Sequence, residues 1–169
     1  HHVFEAVRMA GKDYNLKLCG MHALGSCRIE KAFRHFGHDI TDEDHVLEAG
    51  LGFAVKLEKG EFLGRSAVLE RREKGLRKVL LQFCLLDPEA MMFHNEPILR
   101  DGTIVSYISS ANYGHFLGGA VGLGYVPCLH EDLKDILVSK YQIEIAGRLF
   151  DAKVSARPMY DPESKKVRA

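Results

Sequence analysis

The sequence has 169 residues, enough for one domain or two small ones, and its 23 basic and 23 acidic side chains balance to a net charge of zero. This balance argues against a general nucleic-acid or membrane-surface binder, because such proteins carry a basic excess. No apolar stretch has the length of a membrane-spanning helix, and no secretion signal is visible. The sequence begins His1-His2 without an initiator Met, so we interpret it as a fragment of a longer chain.

The first 75 residues contain both helix and strand signals. Apolar residues at mixed helical spacing predict a short helix over 3–10, followed by a turn at Tyr14-Asn15. Alternating apolar residues predict a strand over 53–57. A second helix is predicted after Gly64, with Gly75 as the glycine that commonly follows a helix.

The segment 27–34 alternates two sets of side chains, and a period of two indicates a strand. In a strand, Arg28 and Glu30 would share one face, whereas Ile29 and Phe33 would share the other. We therefore expect Ile29 and Phe33 to pack in the core and Glu30 to point toward a pocket.

From Leu76 onward the sequence changes to short strand candidates that are separated by turns. Asp101-Gly102 is typical of a type I′ hairpin turn, and Gly147 suggests a second tight hairpin. Such spacing favours an antiparallel sandwich or a small barrel. The strand candidates cover 77–86, 96–114, 118–128 and 136–156. The predicted fold class is α+β, with the end of an α/β domain over 1–75 and an antiparallel β-barrel or jelly-roll-like domain over 76–169.

Two groups of potential metal ligands lack the spacing of a metal site. The His and Asp residues between 35 and 45 fit no closed zinc pattern, and we interpret the segment as a hydrated connection. The four cysteines form no CxxC pair, and we expect buried, reduced thiols at Cys19, Cys27, Cys84 and Cys128. No metal site is predicted.

The sequence also lacks a recognisable catalytic motif. The glycines of 118–124 do not form GxGxxG and precede a strand, so we expect them to permit close approach within a sheet. No GxSxG nucleophile elbow is present. We predict no catalytic residue within this fragment.

Glu30 has two interpretations when only its neighbours are considered. Arg28, Lys31 and Arg34 flank it, and these residues favour an ordinary local ion pair. Alternatively, a carboxylate inside a pocket can accept paired N–H donors from the edge of a heterocycle such as a pterin. The spacing alone does not select the second interpretation.

Several ordered motifs resemble a known family. The runs RIEKAFRHFG, LEAGLGFAVKL and FLGRSAV, and then the barrel segment 96–126, resemble the folate-binding aminomethyltransferases, which include the glycine cleavage T-protein. The tail PMYDPESKKVR looks like the end of one branch, the flavin-dependent dimethylglycine and sarcosine dehydrogenases. The resemblance extends from about Val3 to Arg168.

The resemblance implies a fold, a reaction and two cofactors. The family is a three-domain cloverleaf with tetrahydrofolate at its centre, and the dehydrogenase branch carries FAD in an N-terminal domain that is absent here. The one-carbon unit of an oxidised N-methyl amine would pass to tetrahydrofolate as 5,10-methylenetetrahydrofolate. The implied partners are folate, a small N-methyl amine and the missing N-terminal part of the same chain. The implied compartment is a bacterial cytoplasm or the mitochondrial matrix.

The resemblance also assigns four candidate cofactor-binding residues. Glu30 matches the family's pterin-binding glutamate. Lys56 and Lys59 are the basic candidates where T-proteins have a folate-contacting arginine, although lysine lacks its planar fork. Tyr160 lies close to the position of a C-terminal tyrosine. The family's catalytic aspartate belongs to the absent part of the folate domain.

The same resemblance leaves other functions open. One is a non-catalytic regulatory module similar to the regulatory subunit of pyruvate dehydrogenase phosphatase. Others are a stand-alone T-protein-like aminomethyltransferase and a sulfonium demethylase of the same fold. A relative from iron–sulfur assembly carries a KGC motif, which this sequence lacks. Retention of Glu30 favours the dehydrogenase, because a regulatory scaffold has no need of a pterin carboxylate.

Overall fold

The computed structural model describes residues 1–166 and 168. Helices dominate the first part of the chain and strands the second. The helices among these residues are α1 His2–Ala10, α2 Met21–Glu30, α3 Arg65–Lys74 and α4 Leu133–Val138. The strands are β1 Lys78–Leu85, β2 Pro97–Arg100, β3 Thr103–Gly114, β4 Gly119–Pro127, β5 Tyr141–Ile145 and β6 Arg148–Ser155.

The six strands form a closed antiparallel barrel in the order β1-β4-β3-β2-β5-β6, which confirms the predicted fold class. Closure leaves no unpaired strand edge. Both predicted hairpins are present: Asp101 and Gly102 have φ of 51° and 81°, and Ala146 and Gly147 have φ of 50° and 75°. These positive values match the type I′ turns that favour right-handed strand twist.

The alternation of β1 distributes its side chains between two cores. Leu81, Phe83 and Leu85 belong to the cluster that fills the barrel. Leu80 and Cys84 belong to a second cluster outside the barrel, together with Ile29 of α2. The end of α2 therefore packs on the outer surface of the barrel.

Close approach within the barrel explains a glycine in β4. A Cβ atom on Gly124 would lie 2.5 Å from Ile98 Cδ1 and 2.9 Å from the carbonyl oxygen of Tyr107. The Tyr107 oxygen belongs to the backbone, so relieving this contact would require a shift of the strand itself. The predicted role of the glycine run, close packing in a sheet, is confirmed at this position.

Three predictions about local structure are wrong. The segment 27–34 is not a strand, because α2 extends to Glu30, and Phe33 is 53% exposed although Ile29 is buried. The segment 53–57 is not a strand either: its ends belong to the short 3-10 helices Gly52–Ala54 and Leu57–Lys59, and Val55 and Lys56 connect them. The beginning of 136–156 belongs to α4. In the first two cases apolar alternation arose without a pleated sheet, and in the third a continuous apolar run, Ile136 to Val138, belongs to a helix.

Other local predictions are confirmed or corrected in part. Helices α1 and α3 lie where they were predicted, Asn15 adopts the left-handed conformation of a turn, and Gly75 follows α3 with φ of 80°. Of the four free cysteines, Cys84 and Cys128 are buried, whereas Cys19 and Cys27 are exposed. Among the described residues, no helix has the length and apolar character needed to cross a bilayer.

Candidate functional site

The carboxylate of Glu30 is anchored at the junction of α2 and the barrel. Glu30 is the last residue of α2 and only 6% exposed. Its Oε1 accepts the backbone N–H groups of Phe116 and Leu117, at 2.8 and 2.9 Å. Its Oε2 has no hydrogen-bond partner among the described residues, and this oxygen is not fully enclosed by protein. One oxygen is thus fixed by the backbone, whereas the other makes no hydrogen bond to a described residue.

The expected local ion pair of Glu30 is absent from the described residues, and each flanking cation bonds elsewhere. Arg28 Nη1 lies 2.6 Å from Asp39 Oδ2. Arg34 donates to the carbonyl oxygens of Ala49 and Ala32. Lys31 donates to the carbonyl oxygen of Asp161 at 2.6 Å. Each of these cations is thus engaged away from the Glu30 carboxylate, which is why the neighbours in sequence were misleading.

The C-terminal segment brings Tyr160 to Glu30. The backbone N–H of Tyr160 donates to the carbonyl oxygen of Glu30 at 3.4 Å. The Tyr160 ring meets the Phe116 ring edge-on, with centroids 4.3 Å apart. Lys166 Nζ lies 4.6 Å from the centroid of Phe116 and 5.2 Å from that of Tyr160. Two of the four candidate residues, Glu30 and Tyr160, therefore lie together, and Tyr160 forms an aromatic pair with Phe116.

The other two candidate residues, Lys56 and Lys59, do not lie with Glu30 and Tyr160. Lys56 and Lys59 are exposed, on the turn region that ends at Lys59. Neither side chain has a hydrogen bond or an ion pair with a described residue. No described contact links either lysine to Glu30 or to Tyr160, so the structure does not assemble these four residues into one site.

Two residues that the sequence did not single out hold the C-terminal segment in place. Gln82 is 1% exposed, and its Nε2 donates to the carbonyl oxygens of Ile29 and Glu30 while its Oε1 accepts the N–H of Met159 at 2.7 Å. Lys31 is 5% exposed and binds Asp161. Their partners lie far away in sequence, so no local pattern could have revealed them.

A cavity of 570 Å³ lies between the segment after α2 and the C-terminal segment. Its walls include the cationic residues Lys31, Arg34 and Arg157, and the aromatic residues Phe33 and Phe53. Burial lowers the pKa of Arg34, and the nearby Tyr125 and Asp39 oppose this effect. Cationic and aromatic walls suit an aromatic ligand that carries carboxylate groups.

Asp39 docks the segment 35–45 on the barrel, whereas most of the segment is exposed, as expected of a hydrated connection. Asp39 is buried and accepts from Arg28, from the His35 N–H and from the hydroxyl groups of Ser109 and Ser110. In the part of the chain that the structure describes, no group of His, Cys, Asp or Glu has the geometry of a metal site. The acidic residue at 39 therefore has a structural role.

The buried thiol of Cys84, on the outer face of β1, is unsuited to nucleophilic chemistry. Burial raises the pKa of the Cys84 thiol, with Lys153 opposing the shift and Glu30 adding to it. A raised pKa keeps the thiol protonated, and the thiolate is the nucleophilic form.

Two family models match most of the chain. The model described as "GCVT N-terminal domain" matches residues 1–59, and the one described as "Glycine cleavage T-protein C-terminal barrel domain" matches residues 78–161. A solved structure of glycine cleavage system aminomethyltransferase T from Bartonella henselae has a TM-score of 0.79 and 22% identity, and the match covers 94% of this chain and 44% of that one. At this identity the likeness demonstrates a shared fold.

Three curated relatives are more similar in sequence. The 4-methylaminobutanoate oxidase (formaldehyde-forming) of Paenarthrobacter nicotinovorans is 40% identical over 98% of this chain. Mitochondrial sarcosine dehydrogenase of Mus musculus is 34% identical over 98% of it. The mitochondrial pyruvate dehydrogenase phosphatase regulatory subunit of Mus musculus is 36% identical over 94% of it. The chain spans only 20%, 18% and 20% of these three relatives, in the same order.

Proposed function

The chain belongs to the glycine cleavage T-protein (aminomethyltransferase) family, and on that premise we propose that it is the C-terminal, tetrahydrofolate-binding part of a longer dehydrogenase of the dimethylglycine and sarcosine type. The names of two relatives support this proposal, since sarcosine and 4-methylaminobutanoate are both N-methyl amines. In our proposal residues 1–75 end the folate domain and residues 76–169 form the barrel domain.

The observation that carries the proposal is the geometry of Glu30. Its Oε1 is held by two backbone N–H groups, and its Oε2 has no partner among the described residues. The N–H and NH2 groups on a pterin edge are neutral donors, and a buried carboxylate binds such donors through charge-assisted hydrogen bonds. Tyr160 and Phe116 supply an aromatic wall beside it. The cavity that contains Phe33 and Arg157 suits the aromatic and carboxylate portion of folate.

The chain's own residues would orient the acceptor and would not perform the chemistry. Tetrahydrofolate would take the one-carbon unit on N5 of its pterin ring and on N10 of the adjoining aminobenzoyl group. The nitrogen of the iminium would take up the two protons that N5 and N10 lose, so that the demethylated amine leaves as an ammonium ion. Glu30 would fix the pterin edge so that these nitrogens face the incoming carbon, which lowers the entropic part of the barrier. FAD would supply the preceding oxidation from another part of the longer chain, since the residues here contain no dinucleotide-binding motif.

Helix α1 supports the proposal of a longer chain. No residue of α1 is buried, and Val3, Phe4 and Val7 form an exposed apolar face at helical spacing. We propose that the N-terminal part of the same chain covers this face. Because the relatives include proteins named mitochondrial, the mitochondrial matrix or a bacterial cytoplasm is the proposed compartment.

The first experiment combines intact mass, visible absorption and tetrahydrofolate binding of the complete natural protein. We expect a chain several times longer than 169 residues, a flavin spectrum, saturable tetrahydrofolate binding, and turnover with sarcosine or dimethylglycine. A short chain that binds tetrahydrofolate without flavin would contradict the dehydrogenase and support a stand-alone aminomethyltransferase.

A second candidate function rests on the regulatory-subunit relative. In that case the chain would be a non-catalytic interaction module of the same fold. The two functions differ in their need for tetrahydrofolate, because a regulatory module does not have to transfer a one-carbon unit to it. A long chain that neither binds tetrahydrofolate nor oxidises N-methyl amines would favour the regulatory function over the dehydrogenase.

A further inference from the structure

The side-chain amide of Gln82 joins three parts of the molecule. Gln82 lies on the outer face of β1, and its Nε2 donates to the carbonyl oxygens of Ile29 and Glu30, at 2.7 and 3.1 Å. Its Oε1 accepts the backbone N–H of Met159, at 2.7 Å. One buried amide therefore fixes the end of α2 and the beginning of the C-terminal segment to the same strand.

The residues that Gln82 fixes carry the proposed ligand contacts. Glu30 provides the carboxylate, and Tyr160 follows Met159 directly in the chain. Tyr160 also donates its own N–H to Glu30. A shift of either segment would therefore change the distance between the carboxylate and the Tyr160 ring, and small displacements of binding groups weaken binding strongly.

An alternative role for Gln82 in the barrel core does not fit its contacts. The barrel interior is filled by Leu81 and Phe83, the neighbours of Gln82 on the opposite face of β1. None of the three hydrogen bonds of its side chain is made to another strand. A buried polar group needs partners, and the Gln82 amide finds all of its partners in the end of α2 and in the C-terminal segment.

We propose that Gln82 is a positioning residue for tetrahydrofolate, which holds Glu30 and Tyr160 at the separation that the ligand requires. This proposal rests on the proposed function of Glu30 as the pterin-binding carboxylate. Gln82 does not contact the ligand itself. It fixes the end of α2, which carries Glu30, and the C-terminal segment, which carries Tyr160. Lys31, which binds Asp161 and Ser164, holds the same segment farther along.

The test is a double-mutant cycle between Gln82→Met and Glu30→Gln, measured as the Kd for tetrahydrofolate in the complete natural protein. Methionine has a similar shape and lacks the three hydrogen bonds. We expect Gln82→Met to raise the Kd about tenfold in the native background, and to have little further effect once Glu30→Gln is present. The matched control is Gln142→Met, because the Gln142 amide donates to Asp151 on the barrel surface, and we expect no change in Kd.

Met159→Pro tests the same link if Gln82→Met does not fold. It removes the N–H that Gln82 accepts and leaves the side chain of Gln82 in place. We expect the same loss of affinity and the same dependence on Glu30. A purely structural role would lower the unfolding temperature and raise the Kd equally in both backgrounds, and that additivity would overturn the proposal, as would an unchanged Kd. If Glu30→Gln alone leaves the Kd unchanged, the proposed function itself fails.

Discussion

Glu30 is held in place by a hairpin rather than by a counter-ion. The loop between β3 and β4 directs two successive N–H groups at one carboxylate oxygen. The backbone can come this close because residue 114 is a glycine. A Cβ atom there would lie 2.7 Å from Val121 Cγ2, 3.0 Å from Glu30 Oε1 and 3.2 Å from Glu30 Cγ.

Gly114→Ala therefore tests the packing around Glu30. We expect a loss of about 1–3 kcal/mol in the free energy of unfolding, because overpacking forces neighbouring side chains from their preferred positions. Urea denaturation measures the loss. The control is Gly20→Ala, since a Cβ atom on Gly20 would meet nothing within 4 Å. Equal stabilities of the two variants would contradict the described packing.

The importance of Glu30 could not be derived from its neighbours in sequence. Three cations surround it in the chain, and they indicated an ion pair, yet Arg28 and Lys31 bind Asp39 and Asp161 instead. The spacing left two interpretations of Glu30 open, and the resemblance to a family favoured the pocket. Gln82 gave no signal at all, because its partners are 52 to 77 positions away.

Helix α2 shows why a period of two was misleading at the level of the element. Its buried residues are Ser26, Ile29 and Glu30, which have the spacing of one helical face. Two of these three residues are polar, so a pattern based on hydrophobicity does not detect the face. The barrel strands were predictable, because their turns contain Asp101-Gly102 and Gly147 and their inner faces are apolar.

The C-terminal segment depends on the charge of Asp161. Burial raises the pKa of Asp161, but the N–H groups of Lys166 and Lys165 and the ammonium group of Lys31 outweigh it, so the pKa is lowered overall. A carboxyl group with a lowered pKa in the folded protein adds stability above its unfolded pKa, which is about 3.9. This stability is lost as the pH falls through the lowered value.

Asp161→Asn tests this account without changing the backbone. Asp161 has φ of 44°, and asparagine tolerates that left-handed conformation well. We expect the variant to be less stable than the native protein above about pH 4, with the difference shrinking as the pH falls further. Urea denaturation over a range of pH measures it. A constant difference, or one that matches the exposed control Asp13→Asn, would show that Asp161 makes no charge-dependent contribution.

At the scale of the whole molecule, the barrel buries its own apolar core, whereas the N-terminal helix α1 leaves its apolar face exposed. The barrel is closed and buries its own core. Helix α1 contributes no buried residue, and most of the stability of a helix in a protein comes from packing of its apolar face. The periodicity of the sequence predicted this helix correctly. It could not show that no described residue packs tightly enough against the apolar face of α1 to bury it.

The contact proposed for α1 is tested by the hydrogen-exchange rates of its backbone amides, measured in the 169-residue chain and in the complete natural protein. We expect fast exchange of the α1 amides in the shorter chain, because a helix without packing opens easily. In the complete protein we expect slow exchange, since the N-terminal part would cover Val3, Phe4 and Val7. Strand β4 is the internal control and should be protected in both. Fast exchange of α1 in both proteins would contradict the proposed contact.

The measurement that tests the central claim most directly is tetrahydrofolate binding by Glu30→Gln in the complete natural protein. Glutamine can keep the anchored oxygen on the N–H groups of Phe116 and Leu117, but it presents an NH2 donor where a pterin edge would also donate. We expect the affinity to fall by about 1.5–3 kcal/mol, while Glu89→Gln on the exposed surface has no effect. Unchanged affinity in Glu30→Gln would contradict the assignment of this carboxylate to folate.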